Sequence, residues 1–224
     1  MKSRTIAVIS AHPDDEILGT GGTLIKHREN GDKIIWIIGT EINERIGFSP
    51  ERVEKRRLEI QEVSNKLKAV TYLLGFDTMS LTGLDLPKII NKVSKIFQEE
   101  KPEIIYCLNR SDAHSDHRIL FDAVMSCTKS FRYPFIKKVL MYECISETEF
   151  APQLQENMFI PNYFVNISSH LEEKLELMQV YSSEIEAPPF PRSLENIKAL
   201  ARYRGSTINQ DYAEAFQVVK IINE

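Results

Sequence analysis

The strongest constraint on the fold is a short run in which every residue is apolar, Ile34-Ile35-Trp36-Ile37-Ile38. A strand of this composition is buried on both faces, which is typical of a parallel sheet. Similar short runs occur at 6–9, 70–74 and 104–108. Because amphipathic segments of helical length separate them, the chain is predicted to be α/β, with a Rossmann-like, mostly parallel sheet flanked by helices.

The periodicity of the apolar residues places the remaining elements. Strands are predicted at 4–10, 33–39, 70–74, 104–108, 137–144 and 163–167, and helices at 17–29, 51–68, 86–100, 119–130, 171–181 and 194–204. The pattern does not determine the type of the segment 212–222. Since 42% of the 224 residues are hydrophobic, the chain can form a complete core, and one domain spanning residues 1–224 is expected.

Charge and composition exclude several classes of protein. The formal net charge is −4 and no block of Lys and Arg occurs, which argues against a nucleic-acid partner. No apolar run approaches the roughly 18 residues of a membrane span, and no secretory signal is recognisable, so a cytoplasmic protein is expected. Cys107, Cys127 and Cys144 are widely spaced in apolar surroundings, which predicts buried free thiols. His27 and His170 fall on predicted helices and are expected at the surface.

The first candidate site is Ala11-His12-Pro13-Asp14-Asp15-Glu16, where the first predicted strand ends and a helix begins. In an open parallel sheet, ligands collect outside the carboxyl ends of the strands. His12 and Asp15 are three residues apart on one tight turn, so both can converge on one cation. Asp14 lies between them, cannot point the same way, and is left free to act on a metal-bound water. The alternative is an acidic helix N-terminus that merely complements the helix dipole.

The glycines that follow, Gly19-Thr20-Gly21-Gly22, are expected to let the helix pack closely, but they lack the spacing of a dinucleotide-binding fingerprint.

A second cluster, at 109–118, follows the fourth predicted strand and contains His114 and His117. The two clusters together supply the three ligands of a catalytic zinc ion, His12, Asp15 and His117, with one position open to water. Such a water could attack a carbonyl that the same ion polarises, with Asp14 as the general base. His114 could donate a proton to the leaving amine or stabilise the oxyanion.

Asp116 has two interpretations that the sequence leaves open. Its carboxylate could orient His114 and keep that imidazole cationic by raising its pKa. It could instead cap the helix that follows.

Together, Ala11-His12-Pro13-Asp14-Asp15-Glu16 and Asp112-Ala113-His114-Ser115-Asp116-His117 resemble the paired motifs of the LmbE/PIG-L family of zinc-dependent N-deacetylases. The resemblance implies an LmbE-like fold over the whole chain and one zinc ion per chain, with Fe²⁺ as a possible substitute. It also implies removal of the N-acetyl group from a small N-acetylated amino-sugar conjugate, such as an N-acetylglucosamine derivative, with release of acetate. The expected partners are that small molecule and further copies of the chain in a homo-oligomer.

The resemblance carries over residue by residue. It implies zinc binding by His12, Asp15 and His117, a base at Asp14, and transition-state stabilisation or acid catalysis at His114.

Outside the two motifs, the resemblance extends to Arg56 with Glu59 on the second helix and to Leu74-Gly75-Phe76-Asp77 after the third strand. It implies that Arg56 and Asp77 bind the sugar hydroxyls. Arg56 could instead be solvated on a highly charged helix, the neighbouring Arg57 could take its place, and Asp77 could cap a turn.

The loop at 41–45 departs from the family pattern at the rim of the expected pocket, which affects the identity of the substrate more than the chemistry. Two other functions stay open: hydrolysis of a different acyl amide or an ester, and a non-catalytic module that binds a sugar or a nucleotide. The presence of Asp14 and His114 argues against the module, because binding alone needs neither a base nor an acid.

Overall fold

The chain forms one seven-stranded, mostly parallel sheet flanked by helices, which confirms the predicted α/β class. This computed structural model describes residues 3–223, so Met1, Lys2 and Glu224 of the predicted domain lie outside the described residues. The strands are β1 (Thr5–Ser10), β2 (Lys33–Glu41), β3 (Ala69–Asp77), β4 (Ile104–Leu108), β5 (Lys138–Tyr142), β6 (Tyr163–Asn166) and β7 (Ala213–Ile221). The helices are α1 (Asp15–Glu29), α2 (Pro50–Leu67), α3 (Leu86–Glu100), α4 (Ser115–Ser126), α5 (Leu171–Val180) and α6 (Leu194–Ser206).

The order of strands in the sheet is β3-β2-β1-β4-β5-β7-β6. The first five run parallel, and β7 lies antiparallel between β5 and β6. The segment 212–222, for which the sequence predicted no type, therefore supplies the strand that extends the sheet. Chain order reverses direction between β1 and β4, which are neighbours, so the turns that follow these two strands lie side by side at the carboxyl edge.

The strands at the centre of the sheet are buried. Every residue of β4 and all of β1 after Thr5 are buried, and so is the run from Ile34 to Ile38 in β2. The one indole in the chain donates from Trp36 Nε1 to Ser10 Oγ at 2.9 Å, so its polar atom is satisfied inside the core. These residues form the rigid base on which the site is built.

Helix α1 packs closely against the sheet, as its glycines predicted. A Cβ on Gly19 would lie 2.2 Å from the ring of Tyr142, and a Cβ on Gly22 would lie 2.8 Å from Ile167. A larger residue at Gly19 would push α1 away from β5, and one at Gly22 would push it away from Ile167, which follows β6. Helix α1 carries Asp15 at its first position.

Two expectations about local structure are wrong. Helix α4 begins at Ser115 rather than at 119, because the side chain of His114 caps it. His27 is buried rather than at the surface: its Nδ1 lies 2.6 Å from Asp32 and its Nε2 lies 2.9 Å from the hydroxyl of Tyr106. These polar partners allow an imidazole to sit in the interior.

The expectation that His170 lies at the surface is met only in part, because it is half-buried beside Glu29, with its Nε2 2.8 Å from that carboxylate. The expectation for the cysteines is met. The three cysteines are buried free thiols. Within residues 3–223, no helix combines the length and the apolar character needed to cross a membrane.

Candidate metal centre

Two loops at the carboxyl edge of the sheet bring three imidazoles together. His12 follows β1, while His114 and His117 lie at the start of α4, after β4. The ring centroids are 4.5 Å apart for His12 and His114 and 5.3 Å apart for each of the other two pairs. The two sequence clusters therefore form a single site, as the sequence analysis predicted.

His12, Asp15 and His117 each offer one ligand atom, and these atoms lie within 4.8 Å of one another. The Oδ2 atom of Asp15 accepts from the backbone N–H groups of Ala11 and His12 at 2.9 and 2.8 Å. The other oxygen, Oδ1, lies 3.5 Å from His117 Nε2. The carboxylate is thus fixed by the turn with one oxygen directed at the imidazole.

His117 provides the test of whether a metal fits. Its Nδ1 lies 2.9 Å from Asp112 Oδ2, which orients the ring. Its Nε2 is buried and, among the residues that the structure describes, has no hydrogen-bond partner. A buried polar atom without a partner is costly, and a divalent ion between Nε2, Asp15 and His12 would satisfy it. The donor set of two nitrogens and one carboxylate suits zinc with an open position.

The charges of the site also suit a cation. Burial alone would raise the pKa of Asp15, but the imidazoles of His117 and His12 outweigh it and lower that pKa. Burial acts to lower the pKa of His117, but the carboxylates of Asp15 and Asp112 together outweigh it and raise the pKa to about 9. Burial, followed by repulsion from Asp15, raises the pKa of Asp14 well above its usual range. A cation at this point would favour the charged form of both carboxylates.

Asp14 has an unusual backbone. Its φ of 141° and ψ of −31° lie in a region that residues with a side chain rarely adopt, at a cost of about 1–3 kcal/mol. The carboxylate lines the cavity beside the ligands and, within residues 3–223, makes no hydrogen bond. Asp14 and Asp15 therefore point in different directions, as the sequence analysis predicted, and only Asp14 is free to accept a proton.

Asp116 takes neither of the two roles that the sequence suggested. Its carboxylate accepts from the backbone N–H groups of Met79 and Leu81 at 2.7 and 3.0 Å, and its Oδ2 lies 3.3 Å from His12 Nε2. It therefore orients His12, not His114, and it joins the segment after β3 to α4 instead of capping the helix. Met79 and Leu81, both in the loop that follows β3, are 37 and 35 residues away in sequence, so no local pattern identifies them.

His114 contacts the backbone of Asp116 rather than its carboxylate, since Nδ1 accepts from that N–H at 3.1 Å. Burial, reinforced by the neighbouring imidazoles, lowers the pKa of His114 to about 4. The expectation that Asp116 keeps His114 cationic is wrong. In the neutral ring with Nδ1 as an acceptor, the proton resides on Nε2.

A cavity of about 270 Å³ opens over these side chains. Its lining combines the predicted site residues, including Arg56, with further residues, two of them arginines, that the sequence analysis did not name at the site. These are Thr40, Ile42, Phe48, Arg52, Thr78, Met79, Cys144, Ser146, Glu147, Glu184 and Arg192. A larger cavity of about 710 Å³ shares Cys144 with it and is otherwise lined by segments 143–159 and 189–204. The smaller cavity is the relevant one, because the ligand atoms lie on its wall.

Arg56 lines this cavity and is 9% exposed, so it is not a solvated residue. Its Nη1 donates to Pro13 O at 2.8 Å, and its guanidinium pairs with Glu184. Arg57 is exposed and pairs with Glu54 on its own helix. Of the two arginines, Arg56 is the one at the site.

Asp77 is not part of the lining. Its Oδ1 accepts from Asn43 Nδ2 at 2.6 Å and from Arg45 Nη2 at 3.0 Å. The carboxylate therefore holds the loop at 41–45 against the end of β3, a role that the sequence analysis did not consider.

Comparisons with known proteins find a family model, a sequence relative and structures of the same fold. The family model described as "PIG-L: GlcNAc-PI de-N-acetylase" matches residues 7–128, which include both clusters. The diacetylchitobiose deacetylase of Thermococcus kodakarensis is 23% identical over 226 residues, covering 96% of this chain and 83% of its own length. The N,N'-diacetylchitobiose deacetylase of Pyrococcus horikoshii superposes with a TM-score of 0.77 at 20% identity, covering 98% of this chain and 85% of its own. The 4-carboxy-2-hydroxymuconate hydratase GalB of Pseudomonas putida superposes with a TM-score of 0.72 at 19% identity, covering 99% and 98%. One fold therefore carries both named activities, and the chemistry must be argued from the site.

Proposed function

The chain belongs to the PIG-L family, whose model matches residues 7–128, and on this premise we propose that it is a metal-dependent hydrolase of N-acetylated amino sugars. It removes the N-acetyl group from a small N-acetylglucosamine-type conjugate and releases acetate and a free amine. The observation that carries the proposal is the buried Nε2 of His117, which has no hydrogen-bond partner among residues 3–223 and faces Asp15 beside the carboxylate of Asp14. A protein that only binds a sugar does not need a carboxylate placed as a base beside a metal site.

We assign the metal to His12, Asp15 and His117, one ion per chain. Zinc is the ion that this donor set favours, and ferrous iron accepts the same ligands. The bound ion supplies Lewis acidity, which polarises the amide carbonyl and makes water a stronger acid. Asp112 orients His117, and Asp116 orients His12, through the contacts described above.

Asp14 acts as the general base. It accepts a proton from the attacking water while the hydroxyl of that water adds to the acyl carbon. It then passes that proton to the amine nitrogen as the C–N bond breaks. The hydroxyl stays on the acyl carbon, so the products are acetate and the amine.

His114 stabilises the oxyanion. Its Nδ1 is already occupied by the N–H of Asp116, so Nε2 carries the proton of the neutral ring and can donate a hydrogen bond. The pKa of about 4 supports hydrogen-bond donation over proton transfer from an imidazolium. The same site therefore separates proton transfer at Asp14 from charge stabilisation at His114.

The size of the cavity favours a small substrate. About 270 Å³ is just below the usual range for ligand pockets, roughly 300–1,000 Å³. One sugar unit then fills it, and the rest of the conjugate lies at the rim formed by Phe48, Arg52 and Arg192. Substrate contact by Arg56 and Asp77 stays a prediction, and the contacts of Asp77 support a role in holding the rim loop.

The deciding experiment measures acetate release from a panel of N-acetylglucosamine conjugates by metal-free and zinc-loaded protein. We expect release only after zinc loading, and loss of release with zinc retained in Asp14→Asn. Sugar binding without any acid released would favour the binding module, and release of a different acid from another acyl amide would change the substrate class. The cytoplasmic location, the homo-oligomer and the single domain over residues 1–224 stay predictions.

A further inference from the structure

The peptide group between Pro13 and Asp14 is held at both of its polar atoms. Its carbonyl oxygen accepts from Arg56 Nη1 at 2.8 Å. Its N–H donates to Glu16 Oε2 at 3.1 Å. Because a peptide group is planar, two hydrogen bonds on opposite edges fix the orientation of the whole plane.

This peptide leads directly into the unusual conformation of Asp14. The φ angle of Asp14 describes rotation about the bond that follows the fixed N–H, and it has the rare value of 141°. A residue with a side chain keeps such a conformation only where its surroundings over-determine it. The direction of the Asp14 carboxylate therefore depends on the groups that hold this peptide.

The two groups that hold the peptide are themselves joined through Tyr181. The hydroxyl of Tyr181 donates to Glu16 Oε1 at 2.9 Å. The guanidinium of Arg56 lies over the ring of Tyr181, 5.5 Å from its centroid. The side chains of Arg56, Tyr181 and Glu16 thus form a closed chain of contacts from one edge of the peptide to the other.

We propose that Glu16, Arg56 and Tyr181 form a clamp on the Pro13–Asp14 peptide that aims the carboxylate of Asp14 at the attacking water. They are positioning residues, because they act on the reaction through Asp14. The inference rests on the proposed function for the identity of the base. It assigns Arg56 a role distinct from the binding of sugar hydroxyls.

Burial separates two of the three clamp residues, Glu16 and Tyr181, from substrate binding, whereas Arg56 lines the cavity. Glu16 and Tyr181 are fully buried, and neither lines the cavity. A change at either residue therefore cannot remove a contact with the substrate. It can change turnover only by moving groups that do line the cavity, of which Asp14 is the one bonded to Glu16.

The test compares Glu16→Leu, which removes both acceptor oxygens, with Glu16→Gln, which keeps one oxygen for the Asp14 N–H and an amide group that can donate to Tyr181. Tyr181→Phe removes one hydroxyl and nothing else. Its matched control is Tyr106→Phe, because Tyr106 is also a buried tyrosine in a hydrogen bond, but its partner is His27. The measurements are kcat and KM for acetate release, zinc content, and hydrogen exchange of the Asp14 amide.

In Glu16→Leu we expect kcat to fall about 10²-fold, the loss that a small misplacement of a reacting group can cause. KM should change little, one zinc per chain should be retained, and the Asp14 amide should exchange faster. Glu16→Gln should restore most of the turnover. Tyr181→Phe should lower kcat about fivefold, the loss expected for one neutral hydrogen bond, and Tyr106→Phe should leave it unchanged.

Wild-type kcat in both Glu16→Leu and Tyr181→Phe would overturn the clamp while leaving the proposed function intact. If Glu16→Leu does not fold, Tyr181→Phe decides the matter alone. If the wild-type protein releases no acetate from any sugar, the proposed function fails, and hydrogen exchange still decides the clamp. Unchanged protection of the Asp14 amide in both Glu16→Leu and Tyr181→Phe would then refute it.

Discussion

Replacing Asp112 by alanine should weaken zinc binding although Asp112 is not one of the three proposed ligands. Its Oδ2 lies 2.9 Å from His117 Nδ1, in a pair whose members are both fully buried. Its Oδ1 accepts from Asn109 Nδ2 at 2.9 Å and from Thr148 Oγ1 at 2.7 Å. The carboxylate therefore sets the rotation of the His117 ring and is itself held by two donors.

The magnitude follows from these contacts. A hydrogen bond to a charged group is worth about 1.5–3 kcal/mol, and loss of the residue that orients a ligand typically costs about 10–100-fold in metal affinity. In Asp112→Ala the ring of His117 loses that partner, so the dissociation constant for zinc should rise by about 10–100-fold. Titration of the metal-free protein with zinc in competition with a chelator measures it.

The control is Asp122→Ala, which removes an exposed carboxylate from the same helix that carries His117. Its zinc affinity should equal that of the wild type, and the folding of both variants is checked by thermal unfolding without metal. The prediction is contradicted if a folded Asp112→Ala protein binds zinc within about twofold of the wild type, instead of losing the about 10–100-fold in affinity expected without an orienting partner. That result would show that packing alone orients the ring of His117.

Other substitutions test other parts of the site and the fold. His117→Ala removes a buried ligand and should abolish stoichiometric zinc retention on dialysis, measured by metal analysis; retained zinc would contradict the ligand set. Asp14→Asn should keep zinc while turnover falls by about two to four orders of magnitude, and near-normal turnover would require another base. His114→Gln should keep more turnover than His114→Ala, because an amide can still donate to the oxyanion; equal losses would favour proton transfer. Burial lowers the pKa of His27 in the folded protein, so the free energy of unfolding should fall as the pH drops below about 6.5, the pKa of an unperturbed histidine. His27→Gln should flatten that slope in urea titrations, and an unchanged slope would mean that another group is responsible.

The sequence by itself determined the class of fold and the two ends of the site. The run from Ile34 to Ile38 predicts a strand buried on both faces whatever its neighbours are, because every position is apolar. The bounds of α3 and β4 follow from the same local periodicity and agree with the structure. His12 and His117 each follow a predicted core strand, and parallel strands end at a common edge, so their meeting could be inferred without coordinates.

Tertiary structure decided which partner each polar side chain takes. Asp116 bonds to backbone groups of Met79 and Leu81 and lies beside His12, and Arg56 reaches the carbonyl of Pro13 from another helix. Such pairs depend on how helices, strands and loops pack against one another, and the spacing of residues along the chain does not predict that packing. A charged helix such as α2 has the same pattern whether one arginine faces water or a cavity, because hydrophobic periodicity reports only where the apolar stripe lies. The burial of Arg56 was therefore settled by packing against Tyr181 and Glu184, which lie more than a hundred residues further along the chain.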